Sequence, residues 1–578
     1  MKVQLVKSVF SSVRSWRVSL VASLLLGAGL VSAGTPDNAY IVLNGGEQNG
    51  FTLDPALAYD SGSGSILENV YETLVAFKGK SLQGFEPLLA TAWTLSSDKR
   101  TYTFTLRKNV KFHSGSTMTC QDAEYSFERA LVTNNAASAV WFLAESLLGT
   151  SANAKDDPTV TWARIDNSVS CTASGQLVFK LPEAEQAFIA KLAYFGFVVY
   201  EKKWAVENGE WGGTEKDWKD WVGKNLEESY LNQNTNGTGA YTVTQIKPDL
   251  TIFTRFGDYW GGAAPIERIV WQQNDAEDAR VLAIKKGDAD SVGIRPVLLE
   301  QVKDAPGVNF IDNLPDIGVT YINFNQKISG TAYSGSGKLD GKGIPANFFS
   351  DVHVRRCFAH VYDVNTFIKE ALLGRGKMLT MAMNESFIGY DASIPYPKFD
   401  LEKAKAECKL AWKGELWKKG FNAKAVYGGG REPTSYQIIR ANLAKINPKF
   451  RLEAQRIQSS EFYDESKLAI TIGGWIPDYL DTDNMMYGSY YSKGYNAAKI
   501  GFKDATMDNL IQRARKVDDP QTQAKLYAQV GRRGAELMPF LMVPQTISYA
   551  VLSSKIKGYK ENYNPMHSGL VLWKDLSK

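Results

Sequence analysis

The stretch 87–131 constrains the fold more than any other part of this 578-residue chain. Apolar residues and threonines alternate over 101–106, which is the period-two pattern of a strand with one buried face. A Ser-Gly-Ser segment at 114–116 interrupts the pattern. Thr119 follows as a candidate helix N-cap, with Asp122 at the acidic position of a capping box. This order predicts a strand, a turn and a helix, and it includes no residue types that indicate catalysis.

The length and composition are those of a globular protein with two or three domains. Hydrophobic residues make up 44% of the chain and charged residues 22%, both ordinary proportions. Residues 1–33 hold four of the 66 lysines and arginines and no acidic residue, which leaves 62 basic against 62 acidic residues. The remaining chain is formally neutral, and this gives no reason to expect a nucleic-acid partner.

Residues 1–33 have the organisation of a cleavable signal peptide. Four basic residues accompany an apolar run at 18–31, and Val31-Ser32-Ala33 is a small-residue cleavage site. The alternative is a membrane anchor, but the run is short for a bilayer span and no second long apolar run follows. No cysteine lies near the cleavage site to carry a lipid. We therefore expect an exported, periplasmic or extracytoplasmic protein that begins at Gly34.

The motifs of two enzyme classes are absent from the sequence. It contains neither G-x-S-x-G nor H-E-x-x-H, the signatures of a serine hydrolase and a zinc protease. The Ser-Gly-rich segment 61–65 is not followed by the Gly-Lys-Ser/Thr of a phosphate-binding loop. It predicts instead a loop that leads into a helix at 66–74. A secreted hydrolase stays the alternative from another functional class.

Several separate segments have distinctive amino-acid sequences. They are AWTLSSDKRTYTFTLRKNVKFHSG at 92–115, GTGAY at 237–241, DYWGG at 258–262, DVHVRRCFAH at 351–360 and GGWIPDYLDTDN at 473–484. In this order they resemble bacterial family 5 solute-binding proteins, the periplasmic peptide receptors of ABC transporters. The family pattern in the first segment is close to W-x-x-S-x-D-G-x-x-Y-T-F-x-L-R-x-x-V-K-F-H-x-G. This chain departs from the family at Lys99-Arg100, Cys120 and Thr482.

The resemblance implies an α/β fold of the large, class II periplasmic-binding-protein type. Such a protein has two lobes joined by a hinge, with an extra subdomain on the first lobe, and it closes around a ligand between the lobes. The implied division is a signal peptide at 1–33, a first lobe at 34–85 and 191–311, an extra subdomain at 86–190, a second lobe at 312–495, and a return to the first lobe at 496–578.

The resemblance also implies which residues bind the ligand. In the family's peptide binders, the acid of the G-W-x-x-D motif pairs with the α-ammonium group of the peptide, and here that acid is Asp478. Trp475 and Tyr479 belong to the same motif. Glu47 and Asn49 lie in a loop that borders the cleft in this family. For Asp478, the alternative is an aspartate that caps a turn.

The four cysteines, at 120, 171, 357 and 408, indicate two disulfides in an exported protein. Three pairings are possible. We favour Cys120–Cys171 and Cys357–Cys408, because each pair falls inside one predicted lobe, and free buried thiols are the alternative. The cysteine spacing does not suggest a metal site.

These observations predict the substrate-binding component of an ABC importer, not an enzyme. The expected ligand is a di- or oligopeptide, and the expected partners are a membrane permease and its ATPase subunits. We expect a monomer without cofactor or bound metal. An oligosaccharide, a nickel complex or haem is the alternative ligand within the class. The tryptophan-rich stretch 204–221 is the reason to retain the sugar, because tryptophan rings can stack on sugars.

Overall fold

The computed structural model describes residues 34–45, 51–82, 84–135, 138–428, 432–458, 466–517 and 519–578. These residues form two α/β lobes around two mixed sheets. The predicted signal peptide lies outside them. Among the described helices, none combines the length and the apolar character needed to cross a membrane.

The first lobe is built on a seven-stranded sheet. Its strands, in spatial order, are Val308–Leu314, Ser548–Ser553, Ser291–Val292, Ala39–Asn44, Arg268–Gln273, Leu250–Arg255 and Tyr241–Lys247. The central strand Ala39–Asn44 is parallel to both neighbours, whereas the outer pairs are antiparallel.

The second lobe is built on a five-stranded sheet. Its strands, in spatial order, are Phe450–Arg456, Phe421–Tyr427, Ile470–Trp475, Val319–Phe324 and Phe540–Val543. Its own buried cluster includes Ile322, Phe324, Phe421 and Phe450, so this lobe has a separate core.

Two short segments connect the lobes, because the chain changes sheets twice. Residues 315–318 join Val308–Leu314 of the first sheet to Val319–Phe324 of the second, and residues 544–547 lead back from Phe540–Val543 to Ser548–Ser553. Strand pairing places the return to the first lobe at 544–547, so the predicted return at 496 is too early. Two amphipathic helices precede the return and their sequence gives no sign of the sheet change. The other predicted boundaries stay predictions.

A third sheet, of four strands, lies inside the predicted extra subdomain. Its strands, in spatial order, are Ala90–Leu95, Thr101–Leu106, Leu177–Lys180 and Val169–Cys171. The predicted strand at 101–106 is confirmed, and the helix Cys120–Thr133 begins with the predicted capping box of Thr119 and Asp122. Two small two-stranded sheets pair Val75–Phe77 with Phe85–Pro87 and Gly376–Lys377 with Gln545–Thr546.

Helices cover the three main sheets. The α-helices span Ser61–Val70, Cys120–Thr133, Val140–Leu148, Trp162–Ser168, Phe188–Lys191, Lys202–Glu207, Glu277–Lys286, Val352–Val361, Val364–Ala371, Leu401–Leu410, Glu415–Lys419, Thr434–Ile446, Thr482–Tyr490, Tyr495–Lys499, Ala505–Arg515, Pro520–Leu537 and Tyr559–Asn562. Short 3₁₀ helices span Trp218–Trp221, Leu226–Glu228, Tyr230–Asn232, Pro296–Gln301, Phe348–Ser350, Ala411–Gly414 and Trp573–Asp575.

Both predicted disulfides are confirmed. Cys120 is bonded to Cys171 with a Cα–Cα distance of 5.9 Å, and Cys357 to Cys408 with 5.4 Å. In each bond the two cysteines are 51 positions apart in the sequence. The first ties the helix Cys120–Thr133 to the four-stranded sheet, and the second joins two helices of the second lobe.

The Ser-Gly segment 61–65 is helical, so its prediction as a loop is wrong. The helix Ser61–Val70 begins there because Asp60 caps it, accepting hydrogen bonds from the backbone nitrogen and the hydroxyl of Ser63 at 2.8 and 2.6 Å. A Cβ atom on Gly64 would lie 2.2 Å from Ser568 Oγ, so the small residue permits close packing against the C-terminal segment. Tertiary contact has overridden the low helix propensity of glycine.

Candidate ligand-binding site between the lobes

Two neighbouring cavities, of about 250 and 560 Å³, lie between the lobes. The first lobe contributes residues around Tyr59, and the second contributes residues that follow Trp475. Six residues line both cavities: Tyr59, Asp60, Ser61, Asp316, Ile476 and Asp478. The two cavities are therefore adjoining parts of one cleft, at the place where a hinged binding protein holds its ligand.

Asp478 stands in this cleft and connects the two lobes. Its Oδ2 accepts hydrogen bonds from the Tyr59 hydroxyl at 3.3 Å and from Asn484 Nδ2 at 3.1 Å. The side-chain oxygen of Asn484 accepts in turn from the Asp478 backbone nitrogen at 3.0 Å and from Trp475 Nε1 at 2.7 Å. Asn484 therefore fixes the carboxylate, while the other carboxylate oxygen, Oδ1, makes no hydrogen bond to the described residues.

The charge of Asp478 is not balanced inside the protein. Burial raises the pKa of its carboxyl from 3.8 to about 7, and the hydrogen bonds from Asn484 and Tyr59 offset only part of this effect. No lysine or arginine among the described residues forms an ion pair with it. A cation that entered the cleft would stabilise the ionised form, so this carboxylate is suited to bind a positively charged group.

The neighbouring aspartates have structural roles that Asp478 lacks. Asp481 caps the helix Thr482–Tyr490, accepting from the Asp483 backbone nitrogen at 2.8 Å. Asp483 is buried and pairs with Arg515 at 3.1 Å. The capping role that was the alternative for Asp478 thus belongs to Asp481, three residues later.

Trp475 and Tyr479 belong to the same motif as Asp478, but their side chains pack in different places. Trp475 lines the larger cavity, where its ring packs against Tyr495 with a centroid distance of 5.1 Å. Tyr479 is buried outside both cavities, with its ring 5.5 Å from Phe142 and 5.3 Å from Lys191 Nζ. The structure therefore brings Trp475 together with Asp478, whereas Tyr479 packs against the first lobe.

The remaining predicted features lie elsewhere. Glu47 and Asn49 lie outside the described residues. In the stretch 204–221, Trp211, Trp218 and Trp221 are buried, and Trp211 stacks on Tyr125 with a centroid distance of 5.8 Å. These tryptophans serve core packing and none lines the cleft, so they give no support to a sugar ligand there.

Three residues that shape the cleft are not predicted by the sequence patterns: Tyr59, Asn484 and Asp316. Tyr59 is held by Trp141, whose Nε1 donates to the tyrosine hydroxyl at 3.2 Å. No local sequence pattern predicts this contact. Asn484 ends the motif that contains Asp478, and its position six residues later was the available signal. Asp316 lies in the first connection between the lobes.

The family assignment follows from comparison with known sequences. The profile described as "Bacterial extracellular solute-binding proteins, family 5 Middle" matches residues 84–497, which is more than half of the chain. The chain belongs to this family. Members of the family bind solutes outside the cytoplasm for transport and are not enzymes.

Individual relatives match along nearly the whole chain. The heme-binding protein A of Haemophilus influenzae is 25% identical over 91% of this chain and 90% of its own length. The dipeptide-binding protein of Pseudomonas aeruginosa is 24% identical over 95% of this chain and 96% of its own length. The relatives of this chain therefore include proteins named for different ligands.

A solved structure confirms the class of fold. The periplasmic binding protein DppA of Helicobacter pylori, in complex with the peptide STSA, superposes with a TM-score of 0.73 at 22% identity, over 93% of this chain and 98% of that protein. The predicted large, two-lobed periplasmic-binding-protein fold is thus confirmed, and at this identity the likeness concerns the fold alone.

Proposed function

We propose that this family 5 protein is the substrate-binding component of an ABC importer and that its ligand is a di- or oligopeptide held by its N-terminus. It works in the periplasm or outside the cell, as a monomer, and delivers the closed, loaded form to a permease with ATPase subunits. The proposed task requires no catalytic residue, cofactor or metal.

One observation carries the peptide assignment: Asp478 is a half-buried carboxylate of the cleft without a basic partner among the described residues. A peptide α-ammonium group offers the missing charge and hydrogen-bond donors for the free Oδ1. Relatives named as dipeptide- and heme-binding proteins support the peptide and also make haem a ligand to be tested.

The test is a double-mutant cycle between Asp478 and the peptide terminus. Alanine-based peptides of two to five residues are titrated calorimetrically, free and N-acetylated, into the native protein and Asp478→Ala. Each change alone should weaken binding by roughly 3–5 kcal/mol, two to three orders of magnitude or more, because one member of a buried charge pair is lost. The two changes together should cost little more than one. Asp478→Asn should recover little affinity.

The pH dependence gives a second readout. With the pKa of Asp478 at about 7 in the free protein, affinity for the free peptide should fall below pH 7, by at most roughly tenfold per pH unit, because the acid must first lose its proton. The Asp478→Asn variant should show no such fall. Exposed Asp258, changed to Asn, is the matched control and should behave as the native protein.

Additive losses in the cycle would show that Asp478 and the terminus do not meet. Binding of haemin, and of none of the peptides, would overturn the peptide assignment. Mass spectrometry of the ligand that copurifies with the protein supplies an independent identification.

A further inference from the structure

A second carboxylate, Asp316, stands opposite Asp478 at the same end of the five-stranded sheet. The strands Val319–Phe324 and Ile470–Trp475 are antiparallel, and their last pair at this end is Val319 with Trp475. Asp316 and Asp478 each lie three residues beyond that pair. Both line both cavities, so the two acids border the same part of the cleft from neighbouring chain segments.

One oxygen of Asp316 is poorly satisfied by the protein. Its Oδ1 accepts from the Gly318 backbone nitrogen at 2.8 Å, the Ile317 backbone nitrogen also interacts with the carboxylate, and its Oδ2 has a 3.5 Å contact with the Ser548 hydroxyl. A contact of 3.5 Å is at the outer limit of a hydrogen bond. Burial raises the pKa of this carboxyl, and the hydrogen bonds from Gly318, Ile317 and Ser548 offset part of this effect.

The other acids of the cleft already have partners. Both oxygens of Asp60 accept from Ser63 at the start of a helix. Glu68 accepts at Oε1 from His567 Nδ1 at 3.3 Å and from the Ser568 backbone nitrogen at 3.2 Å, and its Oε2 has a 3.5 Å contact with the Gly569 backbone nitrogen. Asp316 and Asp478 are therefore the two acids of the cleft, among the described residues, that neither cap a helix nor contact a basic side chain.

His567, which contacts Glu68, is the one basic side chain that lines either cavity in the part of the chain that the structure describes. No described lysine or arginine lines either cavity. Two ionised carboxylates in a closing cleft would lose hydration without gaining a partner, which is costly. A ligand with a single α-ammonium group would satisfy only one of them.

We propose that Asp316 binds a second positive charge of the ligand, so that the preferred substrates are peptides with a lysine or arginine side chain as well as a free N-terminus. This assignment rests on the proposed peptide-binding function and names its substrate class. Asp316 is then a residue that determines specificity, and Asp478 remains the partner of the N-terminus.

The test compares lysine with norleucine, which keeps the aliphatic chain of lysine but lacks its charge. Six tripeptides carry one or the other at position 1, 2 or 3 and alanine elsewhere, and calorimetry measures each against the native protein, Asp316→Asn and the control Glu300→Gln. Glu300 is largely exposed and lines neither cavity. Spermidine is a further probe, since it offers several cations without a peptide backbone.

For at least one position, the native protein and Glu300→Gln should bind the lysine peptide at least tenfold more tightly than its norleucine counterpart. In Asp316→Asn this preference should fall to twofold or less, while norleucine peptides bind about equally to both proteins. Circular dichroism verifies that the variant is folded. An unchanged lysine preference in a folded Asp316→Asn overturns the role of Asp316.

The outcomes separate this inference from the proposed function. Equal binding of lysine and norleucine peptides, with loss on N-acetylation, overturns the second cation site and leaves the peptide function standing. Failure of all six peptides to bind overturns both. Tighter binding of spermidine than of every peptide overturns the assignment of the second charge to a peptide side chain.

Discussion

Two groups of acids in this protein, one buried in the first lobe and one half-buried in the cleft, differ in the presence of an internal cation. In the first lobe, Asp54 and Glu210 both bind Arg129, whose side chain is fully buried. Arg129 holds Asp54 through two bonds of 2.9 and 2.7 Å and Glu210 through bonds of 2.7 and 3.1 Å. In the cleft, Asp478 and Asp316 have no such partner among the described residues.

The two groups also differ in how burial acts on the pKa. Burial alone would lower the pKa of Arg129, but the carboxylates, Asp54 foremost, outweigh it and raise the pKa well above its usual value. At Asp478 nothing outweighs burial, and the pKa rises to about 7. A buried acid with its own arginine is therefore part of the scaffold, whereas a half-buried acid of a cleft without a cation is a candidate for binding a ligand.

The largest expected effect comes from removing the cation of the first group. Arg129→Met should lower the free energy of unfolding by roughly 3–5 kcal/mol, because two buried carboxylates lose their shared partner. Urea unfolding at pH 7.5 measures it. The control is Lys111→Met, which breaks an exposed pair with Asp258 and should cost about 1 kcal/mol or less. Similar losses in both variants would contradict the distinction.

A smaller effect, of the opposite sign, is expected in the cleft. A raised pKa in the folded state means that the native protein loses stability as pH rises from about 4 to 7. Asp478→Asn removes this loss, so the ligand-free variant should be more stable than the native protein by roughly 1–3 kcal/mol at pH 8 and nearly equal at pH 4.

Thermal unfolding of both proteins at pH 4, 6 and 8, after removal of copurified ligand, follows this difference. A variant that is destabilised at pH 8, as Arg129→Met should be, would place Asp478 with the scaffold acids and weaken its assignment to a ligand.

The smallest effect is expected for Arg515, an arginine that pairs with a buried acid but is itself partly exposed. Arg515 pairs with buried Asp483 at 3.1 Å and reaches Glu145 of the predicted extra subdomain at 3.5 Å, while about a fifth of its side chain is exposed. Arg515→Gln should cost about 1 kcal/mol of stability, since glutamine retains a donor and Tyr527 still donates to Asp483 at 3.2 Å. Thermal unfolding measures the loss. If Arg515→Gln lost as much stability as Arg129→Met, partly exposed and fully buried ion pairs would contribute equally, which would contradict the expected order of effects.

The sequence by itself determined the features that depend on neighbouring residues. Alternation over Thr101–Leu106 predicted a strand, and Thr119 with Asp122 predicted the start of a helix. Both patterns depend only on residues that are close together in the sequence. The motif around Asp478 located one side of the cleft. The cysteines of each predicted lobe proved to be bonded partners.

Only the tertiary structure decided what joins distant segments. Asp316 meets the cleft of Asp478 through a strand pair whose members lie far apart in the chain, and Tyr59 reaches Asp478 from the other lobe. The helix at Ser61–Val70 and the sheet change at 544–547 likewise depend on packing against remote residues. Periodicity and capping report local backbone preference, whereas strand pairing and burial are set by contacts that no short window of sequence contains.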